Sequence, residues 1–182
     1  MKLNLWEILE GEKELLEFQG ELLWEGFNLN GRKIDITEPI KYKGQVFNVD
    51  NDKMINIDIY YVFEEECNRC LNPTVNKINT ILSGKLVEGK KDDEYKEIKD
   101  EEFRNEDDSY ENILYYKNNN LNLKEYIIEQ IILSLPMKII CKEDCKGLCL
   151  KCGINLNNSQ CDCVYEDIDP RLEKLKDFFP KK

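Results

Sequence analysis

Eight cysteines in a chain of 182 residues without a single histidine constrain this molecule more than any other feature. They fall as Cys67-x-x-Cys70, Cys141-x3-Cys145, Cys149-x-x-Cys152 and Cys161-x-Cys163. The start, Met1 to Lys13, mixes acidic and basic side chains among short apolar groups and has no secretory h-region. No stretch approaches the ~18 consecutive apolar residues of a membrane span, so the chain reads as cytoplasmic, without a membrane partner. In a reducing compartment, paired cysteines point to metal ligands or redox thiols before structural disulfides. A Cys-x-x-Cys turn aims two thiolates at one ion, and a tetrahedral zinc site closes with a second pair from elsewhere in the fold. Eight ligands allow two such sites, each of four thiolates because no imidazole is available. Adjacency groups Cys149, Cys152, Cys161 and Cys163 into one compact knuckle, with Gly147 and Gly153 giving the backbone room to turn. Cys67, Cys70, Cys141 and Cys145 are then left to tie a strand hairpin to a later part of the chain. The expected cofactor is zinc, two ions in structural sites. The alternatives are an iron-sulfur cluster, redox thiols and plain reduced cysteines. A redox Cys-x-x-Cys belongs at a strand-to-helix junction, whereas Cys67 follows a long strand pattern and precedes Pro73 and another strand.

The absence of histidine also removes the usual general base and the Ser/His/Asp and Cys/His arrangements. Closed four-thiolate sites leave no coordination position for a reactive water. No Gly-rich phosphate loop with Lys and Ser/Thr is present. These points favour a protein that is not an enzyme. The formal charge is −11 with a pI near 4.7, which lacks the basic footprint of direct nucleic-acid binding. Most of that charge is local, because residues 88–111 hold 12 acidic and 5 basic side chains, a balance of −7, leaving −4 for the remainder. This segment reads as a solvated linker or as an acidic arm for a basic partner.

Hydrophobic residues make up 41% of the chain, enough for a core. Residues 3–23 carry apolar groups at spacings compatible with one or two short amphipathic helices broken near Gly11. From Ile34 to Val87 the pattern is that of strands, clearest where Ile55, Ile57, Ile59, Tyr61 and Phe63 alternate with Asn56, Asp58, Tyr60, Val62 and Glu64. Flanking strands around Ile40 to Val49 and Val75 to Val87, joined at Asn51-Asp52 and across Cys67 to Pro73, predict an antiparallel meander. A short strand at Ile113 to Tyr116 precedes a helix that starts at a capping-box-like Asn122/Glu125 pair, packs Leu123, Ile127, Ile128, Ile131, Ile132 and Leu135 on the sheet, and stops at Pro136. Asp169 and Pro170 form an N-cap and N1 pair for a final helix with Leu172, Leu175, Phe178 and Phe179 along one side. The expected class is α+β: an antiparallel meander or open barrel packed with helices over residues 1–140, with 88–111 as an acidic mobile segment, and a Cys-rich zinc knuckle with a terminal helix over 141–182.

The run Cys67-Asn68-Arg69-Cys70-Leu71, the helix end Glu129-Gln130-Ile131-Ile132-Leu133-Ser134-Leu135-Pro136, and Cys145-Lys146-Gly147-Leu148-Cys149 with Cys152-Gly153, Asn155-Leu156-Asn157 and Asp169-Pro170-Arg171 resemble the YceD family. Order and spacing match over roughly residues 40–179. The resemblance implies a part in synthesis, processing or stability of the precursor of 23S ribosomal RNA, and so in large-subunit biogenesis. It supplies no catalytic residue. Combined with the acidity, it leads us to expect contact with a basic ribosomal protein or a processing enzyme, with precursor RNA reached indirectly. Arg69, in the turn between the first two thiols, is the candidate for contact with RNA or a partner. The reading from another class is a thiol-redox or metal-handling protein unrelated to ribosomes.

Overall fold

The computed structural model describes residues 1–49, 52–89 and 112–163. Most of the described chain is strand. Strand β1 (Leu3–Asn4) and the single turn of helix α1 (Trp6–Leu9) lead into β2 (Leu15–Leu22), β3 (Gly26–Leu29), β4 (Arg32–Ile36), β5 (Ile40–Val49), β6 (Asp52–Glu66) and β7 (Pro73–Glu88). Then follow β8 (Asn112–Lys117), β9 (Asn120–Leu121) and helix α2 (Leu123–Ser134). The nine strands form one open mixed sheet in the order β1-β9-β8-β7-β6-β4-β3, and β2 joins through β5, which lies on β6.

The 15-residue β6 organises the molecule. One side pairs with β7 from Met54 to Glu66, while the other carries β5 as far as Tyr60 and then β4 at Phe63 and Glu64. The alternation predicted for this strand is observed: Ile55, Ile57, Ile59, Tyr61 and Phe63 have at most 1% of their surface exposed. They face a core completed by Leu5 and Ile8 from the first helical turn and by Leu123, Tyr126, Ile127 and Ile131 from α2. Each such side chain withdrawn from water contributes about 1.5 to 3 kcal/mol before entropy is subtracted. The antiparallel β5-β6-β7 meander follows the expectation, although Asp50 and Asn51 at its first turn lie outside the described residues.

Three features differ from the sequence reading. Residues 15–22 form a strand, not a helix. Leu15, Leu16, Phe18, Leu22 and Leu23 satisfy helical spacing, yet Leu16, Phe18, Gly20 and Leu22 also alternate with Leu15, Glu17, Gln19 and Glu21, and pairing with β5 selects the period of two. Gly44 in β5 makes that pairing possible, since a Cβ there would lie 2.8 Å from the Asn56 carbonyl oxygen and collide with the Phe18 ring. The second difference is that β8 runs parallel to β7, so the sheet is mixed. Parallel neighbours need a connection of a dozen residues or more, and 23 residues separate Glu88 from Asn112. The third concerns the start of α2. Asn122 occupies the N-cap without a side-chain bond to the backbone, and its Nδ2 donates instead to Glu125 Oε2 at 3.2 Å. The helix end is as expected, with Leu135 extended ahead of Pro136. Residues 90–111 of the acidic segment and the predicted helix after Asp169-Pro170 lie outside the described residues.

Helix α2 packs beside β7 and bonds to polar groups within β7 and β8. Gln130 Nε2 donates to Thr80 Oγ1 and the Ile81 carbonyl, at 2.9 and 3.0 Å, and the Tyr126 hydroxyl accepts the Tyr115 amide at 2.8 Å. Among the described residues no helix is long and apolar enough to cross a membrane.

Candidate metal centre

The β6-β7 turn is built around Cys67 and Cys70. The Cys67 amide donates to the Asn72 carbonyl and the Leu71 amide to the Cys67 carbonyl, each at 2.9 Å, which folds the two thiols to one side. Leu71 completes the turn at φ +59°, a left-handed conformation that favours glycine. The chain leaving α2 crosses this turn. Asn68 donates its amide to the Ile139 carbonyl, and the Ile139 amide donates to Asn68 Oδ1, both at 2.8 Å. That reciprocal pair delivers Cys141 and then Cys145 to the same point. Upstream, Glu65 is buried at the end of β6 and takes a bidentate bond from Arg32 at 2.6 and 2.8 Å. Arg32 Nη2 also donates to the Pro136 carbonyl at 3.1 Å, so one guanidinium ties β4, β6 and the exit of α2 together.

The result is a four-sulfur cluster in which the Sγ atoms of Cys67, Cys70, Cys141 and Cys145 all lie within 4.8 Å of one another. A second cluster with the same property joins Cys149, Cys152, Cys161 and Cys163. These are the two foursomes that adjacency suggested. In the first, Cys67 and Cys145 sulfurs are 3.9 Å apart and Cys70 and Cys141 sulfurs 3.6 Å. All eight cysteines are free thiols, and these separations far exceed the ~2.05 Å of a disulfide. They do match a tetrahedron of sulfurs around one ion, whose edge is about 3.8 Å for a metal–sulfur bond of about 2.3 Å. A multi-iron cluster spreads its cysteine sulfurs more widely than this. Both four-cysteine groups can therefore hold a metal ion, with donors suited to a borderline or soft one.

Backbone and side-chain N–H groups converge on the sulfurs, as they do around metal-bound thiolates. Cys67 Sγ accepts from the Arg69 amide at 3.5 Å and from the Cys141 amide at 3.4 Å, and Cys145 Sγ accepts from Asn157 Nδ2 at 3.4 Å. Burial pushes the Cys67 thiol up, but the amides of Arg69, Cys141 and Cys70 outweigh it and bring it down to about 6. Cys141 is pushed up to about 12 by desolvation of its sulfur against the cluster and by the thiols of Cys145, Cys70 and Cys67, although the residue keeps an exposed side. In the second cluster Cys163 is likewise pushed up to about 12, chiefly by the Cys152 thiol and burial. Four thiolates resist sharing one point without a cation, so each metal-free cluster keeps protons that a metal would displace.

The two clusters differ in exposure. Cys67, Cys70 and Cys145 are buried and Cys141 is exposed, whereas in the second only Cys149 is buried. Leu148 packs on Cys67, Cys70 and Cys145, and its amide donates to the Arg69 carbonyl at 3.0 Å. Gly147 sits at φ +74°, where a Cβ would stand 3.0 Å from that same carbonyl. Arg69 Nη1 donates to the carbonyls of Cys145 and Glu143 at 3.0 and 3.3 Å, which gives the side chain a part in joining the turn to the tail. The sequence reading did not single out Asn68, Arg32, Glu65 or Asn157 for any role. The only prior signal was that Asn68 and Asn157 fall in the short motifs that resemble the YceD family, Asn68 between the paired Cys67 and Cys70, where a short amide side chain can reach backbone or sulfur.

A family model described as "Large ribosomal RNA subunit accumulation protein YceD" matches residues 55–179, more than half of the chain. An uncharacterized protein of Mycobacterium tuberculosis is 31% identical over 110 residues, which cover 60% of this chain and 47% of that protein. The match thus spans about half the length of the mycobacterial relative. The chloroplastic large ribosomal RNA subunit accumulation protein YCED homolog 1 is 41% identical over 49 residues in Arabidopsis thaliana, covering 27% of this chain and 15% of the relative. In Zea mays the homolog of the same name is 37% identical over 60 residues, covering 32% and 20%. No solved structure matches the chain. The matched region takes in most of β6, all of β7 and α2 and all eight cysteines, and on that ground the chain belongs to the YceD family.

Proposed function

We propose that this protein is a non-enzymatic factor required for accumulation of large-subunit ribosomal RNA, acting on processing or stability of the 23S precursor during subunit assembly. The observation that carries the reading is the family match over residues 55–179, whose description names that process. The clusters support a structural rather than a reactive role, because four thiolates per site leave no open position for substrate or water. On this reading zinc fills both, the first pinning residues 141–145 to the β6-β7 turn and the second shaping the exposed knuckle that follows. The partner is a basic ribosomal protein or a processing factor, since the net charge of −11 opposes direct approach to phosphate. Arg69 remains the candidate among the cysteines for a contact with partner or RNA.

The test is the ratio of large- to small-subunit ribosomal RNA in cells depleted of this protein and complemented with wild type or with a Cys67→Ser, Cys70→Ser double variant. A lowered ratio restored by wild type alone is expected; an unchanged ratio on depletion refutes the function. Zinc is checked by metal analysis of the purified chain, with about two ions expected.

The thiol-redox alternative has one observation in its favour, the Cys67 thiol brought down to about 6. Against it stands the burial of that sulfur, at 0% exposure, since thiol exchange needs access to the attacking sulfur. Rapid reduction of a small disulfide by the native protein would restore that alternative.

A further inference from the structure

The two clusters share a residue that is a ligand of neither. Asn157 lies in the loop between Cys152 and Cys161, two ligands of the second cluster, yet its Nδ2 donates to Cys145 Sγ of the first at 3.4 Å. Its other bonds fix that aim. The same amide donates to Asn155 Oδ1 at 2.9 Å, the Asn157 backbone N–H reaches the same oxygen at 3.0 Å, and Asn157 Oδ1 accepts the Lys146 amide at 3.0 Å. The loop is held in turn by bonds from Leu156 N–H to the Gly147 carbonyl and from Cys149 N–H to the Ile154 carbonyl, at 2.9 and 2.8 Å. Its two ends are the second cluster's cysteines. An N–H aimed at a thiolate draws charge from the sulfur and eases repulsion among four such ligands, and loss of outer partners of this kind typically weakens metal binding.

We infer that Asn157 is a positioning residue through which the second cluster sets how tightly the first holds its metal. The inference rests on reading both clusters as metal centres. It predicts an order of loading in which the exposed knuckle must close before the buried cluster reaches full affinity, and it makes loss of the exposed ion weaken the buried one.

The test uses cobalt(II) as probe on the full chain, with affinity and the sulfur-to-cobalt charge-transfer band as readouts. Asn157→Asp keeps the oxygen that accepts the Lys146 amide but removes the donors and sets an anion beside Cys145. Its first-cluster affinity should fall by about 10- to 100-fold, with the band moved to lower energy as the sulfur lone pairs lose their donor. Asn157→Ala should change both in the same direction and provides the reading if the Asp variant fails to fold. A Cys161→Ser, Cys163→Ser variant, which dismantles the second cluster, should give the same shift at the first. Unchanged affinity and band in the Asn157 variants, or an unchanged first cluster in the double-serine variant, overturns the coupling alone. No cobalt uptake by the unsubstituted chain overturns the metal reading and this inference with it.

Discussion

Replacing Arg32 with Met tests whether the metal-bearing tail is held to the sheet by a charge pair as well as by the cysteines. Arg32 forms a bidentate bond with Glu65 and a third bond to the Pro136 carbonyl, with side-chain exposures of 27% for Arg32 and 7% for Glu65. Removing one partner of a fully buried pair costs about 3 to 5 kcal/mol, because the remaining charge is left desolvated. Water reaches Arg32 from one side, which places the pair at about 2 kcal/mol, and the orphaned Pro136 carbonyl adds about 1 kcal/mol. Arg32→Met should therefore lower the free energy of unfolding by about 3 kcal/mol, a large part of the total for a domain of this size. Changing both partners, Arg32→Met with Glu65→Leu, removes the stranded charge and should recover about 2 kcal/mol of that loss. Urea unfolding of the four proteins in zinc-containing buffer gives the cycle directly. A loss below about 1 kcal/mol in Arg32→Met, or a double variant no more stable than the single, would show that Glu65 is solvated and the reasoning wrong.

Gly147→Ala should destabilise by about 1 to 2 kcal/mol, since φ +74° disfavours any Cβ and the new atom would press on the Arg69 carbonyl; thermal unfolding checks it. Leu71→Gly should raise stability by about 0.5 to 1 kcal/mol, as the side chain is 56% exposed and sits at φ +59°; a loss of stability would show that it packs on something of consequence. Chelation of the metal should speed hydrogen exchange at the amides of Asn68, Ile139 and Leu148, which join turn and tail, while the amides of β5 and β6 stay protected. In the metal-free chain the Cys67 thiol, held down at about 6, favours the folded state above the ordinary thiol range and loses that contribution as pH falls through about 6. Metal affinity should fall over the same acid range, measured by competition with an indicator dye, and a pH-independent affinity would rule out thiolate ligation.

Some of this molecule was written plainly in the chain. Alternation from Ile55 to Phe63 put five large apolar side chains on one face, so the central strand and its core were determined locally, while Val62 on the other face is buried as well. Pro136 forbade continuation of α2, and the length of its apolar run made it a helix packed on the sheet. The eight thiols without histidine limited any metal site to four sulfurs, and their spacing grouped them as the fold does. The remainder was decided by contacts between residues distant in sequence. The segment Leu15–Leu22 satisfies both a helical and a strand period, and only a neighbour with a vacant hydrogen-bonding edge, β5 with Gly44 beneath Phe18, selects the strand. The parallel entry of β8 beside β7 has no local signature, because strand direction depends on where the preceding connection returns the chain. Arg32, Glu65 and Pro136 are separated by up to 104 positions, and nothing in the chain marks them as partners. Local periodicity and ligand chemistry act through neighbouring residues and can be read in order along the chain, whereas pairing, strand direction and the bonds that aim Asn157 at Cys145 exist only once the sheet has brought remote segments together.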